Sequence, residues 1–321
     1  MKILVIGGTR LLGLALVRAL VAAGHGVTVV SRRAARCPES VECLLGDRQA
    51  GLRQLAGSKF DVTFDFIAYD SPAPQQVLAE VQSGAYVLIS STWMVRLNGA
   101  MTPDQVVSSI EDSCLSLLPP ITRNYLLGKL AAERVTLEER AKGGGATILR
   151  LPIFLGLGDH TGRLNFYRQR LADGAPVICV DGGHNIAPIV WTEDVARVIL
   201  AWMPYAAARP VWEALPEERT PVREVIALIA RGMHLQQSLV DVSARVLQNL
   251  LPEYLEHEPL WREREIAPTA SNLFRFMKMR PTPASIWLGD LAGQGAVPPV
   301  SLLRQRELSL LASMGYDQES H

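Results

Sequence analysis

MKILVIGGTRLLG, residues 1–13, opens the chain with a short apolar run, a glycine pair and the start of a long apolar-periodic segment. Ile3 to Ile6 reads as a buried strand, Gly7-Gly8 as a tight turn, and the stretch from Leu11 as a helix. A dinucleotide pyrophosphate needs that order. The turn lets backbone approach the phosphates, and the helix N-terminus offers N–H groups that have no intrahelical partner. Gly7, Thr9, Leu11, Leu12 and Gly13 are the candidate pyrophosphate contacts, with Gly13 also letting the helix pack closely on the sheet. Arg10 stands where the usual spacing has its middle glycine, and offers a guanidinium to phosphate.

Outward from this turn, strand and helix patterns alternate. Leu12, Leu16, Val17, Leu20 and Val21 lie at helical spacing in a helix ended by Gly24. Residues 26–30, 41–45, 60–67 and 85–89 read as four further short strands, and 146–151 as a sixth. Such alternation implies right-handed βαβ units and a parallel sheet, hence an α/β doubly wound Rossmann-type fold. Periodicity fails between Arg96 and Asn124, where Pro119-Pro120 interrupts it, and a helix is expected over 124–142. The final hundred residues have a helical pattern with proline joints at Pro281, Pro283 and Pro298-Pro299. The expected division is a dinucleotide-binding domain over 1–155 and 186–215, with a smaller C-terminal substrate lobe over 156–185 and 216–321.

Composition narrows the class. At 321 residues, 48% hydrophobic and 20% charged, the chain has the makeup of an ordinary globular protein. Its formal net charge of zero gives no global field for nucleic acid or an anionic membrane. No apolar run reaches the eighteen or so residues that span a bilayer. Cys37, Cys43, Cys114 and Cys179 show no CxxC spacing, so neither disulfide nor metal use is expected, and a reducing cytoplasm is. No charged-then-apolar leader precedes the first strand, and no His/Cys/Asp/Glu cluster has metal-ligand spacing.

Two further features carry chemistry. In Tyr125-Leu126-Leu127-Gly128-Lys129 the phenol and the ammonium, four residues apart on a helix, share a face. A cation held near a phenol favours the phenolate and lowers the tyrosine pKa from about 10 toward the working range, which suits a general acid/base. Ser90-Ser91-Thr92 closes the fifth strand, and in an open parallel sheet ligands bind beyond the carboxyl ends of the strands. A hydroxyl there can hydrogen-bond a substrate oxygen. Trp93 and Met94 follow directly, and with Trp191 are candidates to line an apolar substrate pocket.

Together GGTRLLG (7–13), GDR (46–48), FDFIAY (64–69), LISST (88–92), YLLGK (125–129), LRLPIFLG (149–156) and VWTEDVA (190–196) resemble the extended and atypical short-chain dehydrogenase/reductase superfamily, in the branch of the NAD-dependent epimerase/dehydratases. The resemblance covers roughly residues 1 to 200. It implies that Tyr125 is the catalytic acid/base, that Lys129 holds the nicotinamide ribose and depresses the tyrosine pKa, and that Thr92 orients the substrate oxygen. It also implies that Asp47 lies against the adenine, that Arg48 and Ala68 are among the cofactor-binding residues, and that Pro152 and the residues after it border the nicotinamide. A homodimer through the YLLGK helix is a further implication, with Leu126, Leu130 and Val135 facing a partner or the sheet.

Cofactor choice is argued from charge. NAD-users place a carboxylate after the second strand to accept from the ribose 2′-hydroxyl, but here stand Ser31, Arg32 and Arg33. A guanidinium binds a 2′-phosphate in bidentate fashion, so NADP(H) is expected over NAD(H), with Arg32 the first ligand and Arg10 and Arg33 in support. The sugar-nucleotide enzymes of this branch resemble one another around an Arg-Asp-Tyr-Ile-His-Val-x-Asp stretch whose arginine grips the substrate diphosphate. Aligning its last residue on Asp194 puts Ala187 at the arginine position. Arg163 and Arg168 are possible substitutes, and His160 and His184 receive no role. The expected activity is therefore NADP(H)-dependent reduction of a ketone, or oxidation of a secondary alcohol, on a small or carrier-bound molecule. The alternatives are a sugar epimerase or dehydratase that oxidises transiently, and a non-catalytic nucleotide-sensing or RNA-binding relative.

Overall fold

The computed structural model describes residues 1–33, 37–93, 119–262 and 268–316. In chain order the main elements begin with β1 (Lys2–Ile6), α1 (Leu11–Ala22), β2 (Gly26–Ser31), β3 (Glu42–Leu45) and α2 (Arg48–Arg53). β4 (Lys59–Asp65), α3 (Pro72–Glu80), β5 (Gln82–Ser91), α4 (Pro120–Ala141) and β6 (Ala146–Leu151) follow. Beyond them lie α5 (Arg163–Ala172), β7 (Val177–Val180), α6 (Thr192–Trp202) and β8 (Val211–Glu213). The last are α7 (Val222–Gly232), β9 (Leu239–Val242), α8 (Ala284–Ala292) and α9 (Leu302–Ser313). No helix among the described residues is long and apolar enough to cross a membrane.

The chain divides into two compact units. The first comprises Met1–Phe154, Thr192–Glu217 and Ile266–Pro281. Its seven strands run in the order β8-β6-β5-β4-β1-β2-β3, and every pairing is parallel. This is the doubly wound Rossmann-type sheet, with its topological switch point between β1 and β4. Leu4 and Ile6 of β1 share a cluster with Leu52 of α2, Val77 of α3 and Ala132 of α4, so these helices cover one face. Val5 points to the opposite face, toward Val17 of α1, and α1 packs there on α6. The strands read as near-continuous apolar runs because both faces are buried.

Three sequence expectations change. Helix α4 starts at Pro120, four residues before the expected Asn124, because proline is favoured in the first helical turn, where its missing N–H costs nothing. The rest of the aperiodic stretch, 96–118, lies outside the described residues, as does Met94. Residues 268–281, expected in the second lobe, pack in the first unit. There the Asn272 amide donates to the Leu215 carbonyl at 2.8 Å, and Phe276 stacks edgewise on Trp212 at 4.9 Å. Residues 186–191, expected in the first, belong to the second.

Cysteine usage also differs. Cys37 and Cys43 form a disulfide, against the expectation of free thiols. Between them a turn closes with the Val41 N–H donating to the Pro38 carbonyl at 3.2 Å, and the two Cα atoms lie 6.2 Å apart, within the span a disulfide bridges.

The second unit comprises Leu155–Trp191, Glu218–Glu265 and Thr282–His321. It is not all helical in its C-terminal part, since β9 pairs in parallel with β7. Ile178, Val180, Val240 and Val242 from this pair pack with Leu247, Tyr254 and Leu311. Beside them buried Arg304 donates to both oxygens of partly buried Asp173 and to Glu307, while Arg170 pairs with Glu307 at 2.9 Å in the interior.

Candidate functional site

The glycine turn is steric as well as conformational. Gly7 has φ +88°, a region that favours glycine. A Cβ on Gly8 would meet Val5 Cγ1 at 2.6 Å, and one on Gly13 would meet the Gly7 carbonyl at 2.9 Å. Arg10, by contrast, is extended at φ −143°, which any residue adopts, so the missing middle glycine does not disturb the turn. Leu11 takes the unusual positive value instead, at φ +41°. No side chain caps the N-terminus of α1, so its first N–H groups face the turn, the geometry that receives a phosphate.

Around this turn the carboxyl ends of successive strands carry the other cofactor candidates. The Ser31 hydroxyl, at the end of β2, lies 3.3 Å from the Thr9 hydroxyl and accepts from the Arg33 backbone N–H at 3.2 Å. That bond fixes the start of the loop on which Arg32 and Arg33 stand exposed. Asp47, beyond β3, N-caps α2 by accepting from Ala50 N–H. Ala68, beyond β4, is fully buried. Pro152, beyond β6, is buried too. These groups fit a dinucleotide laid across the strand ends.

Arg48 is placed differently. Its guanidinium bonds both oxygens of buried Asp65 and the Ala73 carbonyl, and Tyr86 donates to the same carboxylate at 2.9 Å. The GDR arginine therefore ties α2 to β4 and α3 rather than facing a ligand.

The chemistry candidates sit where β5 meets α4. The Lys129 ammonium donates to the Ile89 carbonyl at 2.8 Å, and Ser90 donates to Glu133 at 2.6 Å. Glu133 also pairs with Arg150 of β6 at 2.7 Å, so three buried contacts clamp α4 onto the sheet. Leu126 and Leu130 are buried in this unit, which answers for two of the residues left between sheet and partner. Lys129 is 2% exposed, and burial pulls its pKa from 10.5 to about 8 against the opposing pull of Asp65 and Glu133. Tyr125, one turn earlier, is 40% exposed and so can reach a ligand. Its ring lies 6.0 Å from that of Tyr69. Thr92 is 1% exposed, yet among the described residues its hydroxyl has no hydrogen-bond partner. An unpaired buried hydroxyl just past a strand end is what a site that donates to a ligand oxygen requires. Trp93 is half-buried beside it in sequence.

In the second unit, Trp191 stacks on Trp287 at 6.4 Å with an interplanar angle of 7°. Ala187 is buried, so the position aligned with the phosphate-gripping arginine holds no charge. Arg168 is spent on the Gly295 and Ala296 carbonyls and on Asn165. Arg163 donates to Thr161. Among the described residues no group of three or more His, Cys, Asp or Glu side chains is arranged to hold a metal. Tyr69, the last residue of FDFIAY, carries no signal of a role in the sequence, because only the fold brings it against Tyr125 and Lys129.

Sheet order, glycine turn and the Tyr-Lys helix define a Rossmann-type NAD(P)-dependent enzyme of the short-chain dehydrogenase/reductase kind, an oxidoreductase by superfamily. The chain belongs to the NAD dependent epimerase/dehydratase family, whose model matches residues 3–212. It is 27% identical over 274 residues to the 2'-dehydrokanamycin reductase of Streptomyces kanamyceticus, covering 81% of this chain and 75% of that one. Among solved structures it is similar to a UDP-glucose 4-epimerase from Thermotoga maritima with UDP-glucose (TM-score 0.65, 16% identity, 91% and 97% of the two chains). It is also similar to a dTDP-glucose 4,6-dehydratase from Bacillus anthracis str. Ames in complex with NAD (TM-score 0.65, 12% identity, 91% and 95%). At these identities the structural likeness shows the fold alone.

Proposed function

We propose that the protein is an NADP(H)-dependent oxidoreductase that reduces a ketone, or oxidises a secondary alcohol, on a small or carrier-bound molecule. The observation that carries this reading is the buried, unpaired Thr92 hydroxyl at the end of β5, the strand onto which the helix of Tyr125 and Lys129 is clamped. When bound, the dinucleotide supplies a hydride to the carbonyl carbon or accepts one from the alcohol carbon. Tyr125 gives its proton to the carbonyl oxygen, or takes the alcohol proton in reverse. Thr92 donates to the same oxygen and orients it, and Lys129 contributes positive charge on the face of α4 that carries Tyr125.

Gly7, Thr9, Leu11, Leu12 and Gly13 would hold the pyrophosphate. Arg32, supported by Arg33 and Arg10, would hold the 2′-phosphate, and Asp47, Ala68 and Pro152 would border the rest of the cofactor. Reduction is favoured over sugar-nucleotide epimerisation by buried Ala187, which offers nothing to a diphosphate, and by the similarity to the Streptomyces protein named as a 2'-dehydrokanamycin reductase. Exposed Ile121 and Leu127 on α4 support a homodimer packed through that helix.

The test is a thermal-shift titration with NADPH and NADH in parallel. Ligand at about 100 times its dissociation constant stabilises by about 2.7 kcal/mol, which raises the melting temperature by several degrees. The expected result is a clear shift with NADPH, little with NADH, and a reversed preference in Arg32→Asp. A preference for NADH in the parent overturns the cofactor choice, and no shift with any form of either cofactor overturns the whole reading. Tyr125→Phe should keep the NADPH shift and lose roughly 10²- to 10⁴-fold in turnover. Turnover without net cofactor consumption would replace the reductase with an epimerase.

A further inference from the structure

We propose that Tyr69 is a positioning residue for Lys129, its ring face holding the lysine ammonium as a cation beside Tyr125. The inference rests on the reading of Tyr125 and Lys129 given above and adds a residue that no motif assigns. The Lys129 ammonium lies 4.6 Å from the centroid of the Tyr69 ring, within the range of a cation–π contact. The same ring lies 6.0 Å from that of Tyr125, tilted by 50°. Tyr69 thus touches both members of the i,i+4 pair.

The lysine needs such a partner because the charged groups around it are engaged elsewhere. Asp65 of β4 is spent on Arg48 and Tyr86, and Glu133, on the same helix as Lys129, is spent on Arg150 and Ser90. Arg48 of α2 repels the ammonium. Among the described residues, what touches the ammonium is one backbone carbonyl, that of Ile89, and the Tyr69 ring. A desolvated ammonium with a single neutral acceptor gains most from an electron-rich ring face.

The backbone is built to deliver that ring. A Cβ on Gly128, inside the YLLGK motif, would fall inside van der Waals contact of the Tyr69 carbonyl oxygen. Only glycine lets the segment beyond β4 press this closely on α4. On either side of Tyr69 the chain is fixed, with Ala68 buried and Asp70 accepting from the Ala73 N–H at 3.0 Å. The side chain itself remains 52% exposed, so its replacement need not disturb the core.

The experiment is a pH titration of the full chain labelled with ¹³Cε-lysine, followed by NMR. There are five lysines, Lys2, Lys59, Lys129, Lys142 and Lys278, and Lys129→Arg assigns the resonance of interest. In the parent, Lys129 should titrate near pH 8, well apart from exposed lysines. Tyr69→Phe keeps the ring and should leave the midpoint in place. Tyr69→Leu removes the ring face and should lower it by roughly half to one pH unit. Tyr69→Trp, a stronger π face, should move it upward, so the proposal stays testable if the leucine variant does not fold. An unchanged midpoint in both Tyr69→Leu and Tyr69→Trp, or a fall in Tyr69→Phe equal to that in Tyr69→Leu, overturns it. Because the titration needs no substrate, it fails separately from the functional reading. An active Tyr125→Phe enzyme removes the proposed acid/base and leaves the Lys129 midpoint as evidence on Tyr69.

Discussion

Lys129 is where stability and chemistry oppose each other. Its pKa is pulled from 10.5 to about 8 by burial, so carrying the charge at neutral pH costs the folded state about 3 kcal/mol relative to the unfolded chain. With a depressed lysine pKa the unfolded state binds more protons between pH 8 and 10.5. Stability from this group therefore rises with pH through that window and is lost as pH falls through 8. Lys129→Met keeps the apolar stem and removes the charge. It should stabilise the protein at pH 7 by up to about 3 kcal/mol and flatten the slope of stability between pH 8 and 10.5, while turnover falls by roughly 10²-fold or more. Urea unfolding at pH 7 and pH 10 checks the first two effects. A variant less stable than the parent at both pH values would show that the ammonium is a net asset to the fold. Thr92 follows the same logic at smaller scale, since a buried hydroxyl without a partner is retained only where something other than stability requires it.

Among the elements, those visible in the sequence are the ones whose signal is local. β1, α1, β2 and β6 announce themselves by apolar run or by 3.6-residue period, and Gly7, Gly8 and Gly13 by spacing. β9 hides because Leu239-Val240-Asp241-Val242 is only four residues long and lies among helical patterns. The Arg48–Asp65 pair hides because its partners are seventeen residues apart and meet only through the sheet. Tyr69 is hidden for a similar reason, although Gly128 is the trace it leaves. Gly128→Ala should force α4 and the 67–70 segment apart, destabilising by about 1–3 kcal/mol and shifting the Lys129 titration, whereas alanine would normally strengthen a helix. Equal or greater stability in that variant, by thermal unfolding, would show that the helix and the loop accommodate a Cβ. The Cys37–Cys43 link hides because its spacing matches no motif. It closes a short loop between β2 and β3, so reduction should cost about 2 kcal/mol, read as a lower urea midpoint in reductant. Peptide mapping without reductant should yield these two cysteines joined, and finding both alkylated would remove the link.

For the molecule as a whole, the two units handle buried charge differently, and the contrast predicts how stability depends on pH. In the first unit Asp65 and Glu133 each bond an arginine, beside the lysine that the chemistry needs. In the second, Glu307 lies between Arg170 and Arg304, whereas the hydrogen bonds to Glu258 among the described residues come from neutral donors, the Tyr167 hydroxyl and the Leu260 and Trp261 N–H groups, with Arg170 adding a weaker electrostatic pull. Burial outweighs these bonds and raises the Glu258 pKa from 4.5 to about 7. Between those values the folded state binds the proton that the unfolded chain releases. Its contribution is thus fully present below pH 4.5 and is lost as pH rises through 7. From pH 5 to pH 8 the parent should lose about 2–3 kcal/mol relative to Glu258→Gln, whose amide carries no titrating proton. Comparing the two proteins cancels every titration they share, including that of Lys129, which acts in the opposite direction above pH 8. Parallel stability curves for parent and variant would mean that the three donors, rather than burial, set the charge of Glu258.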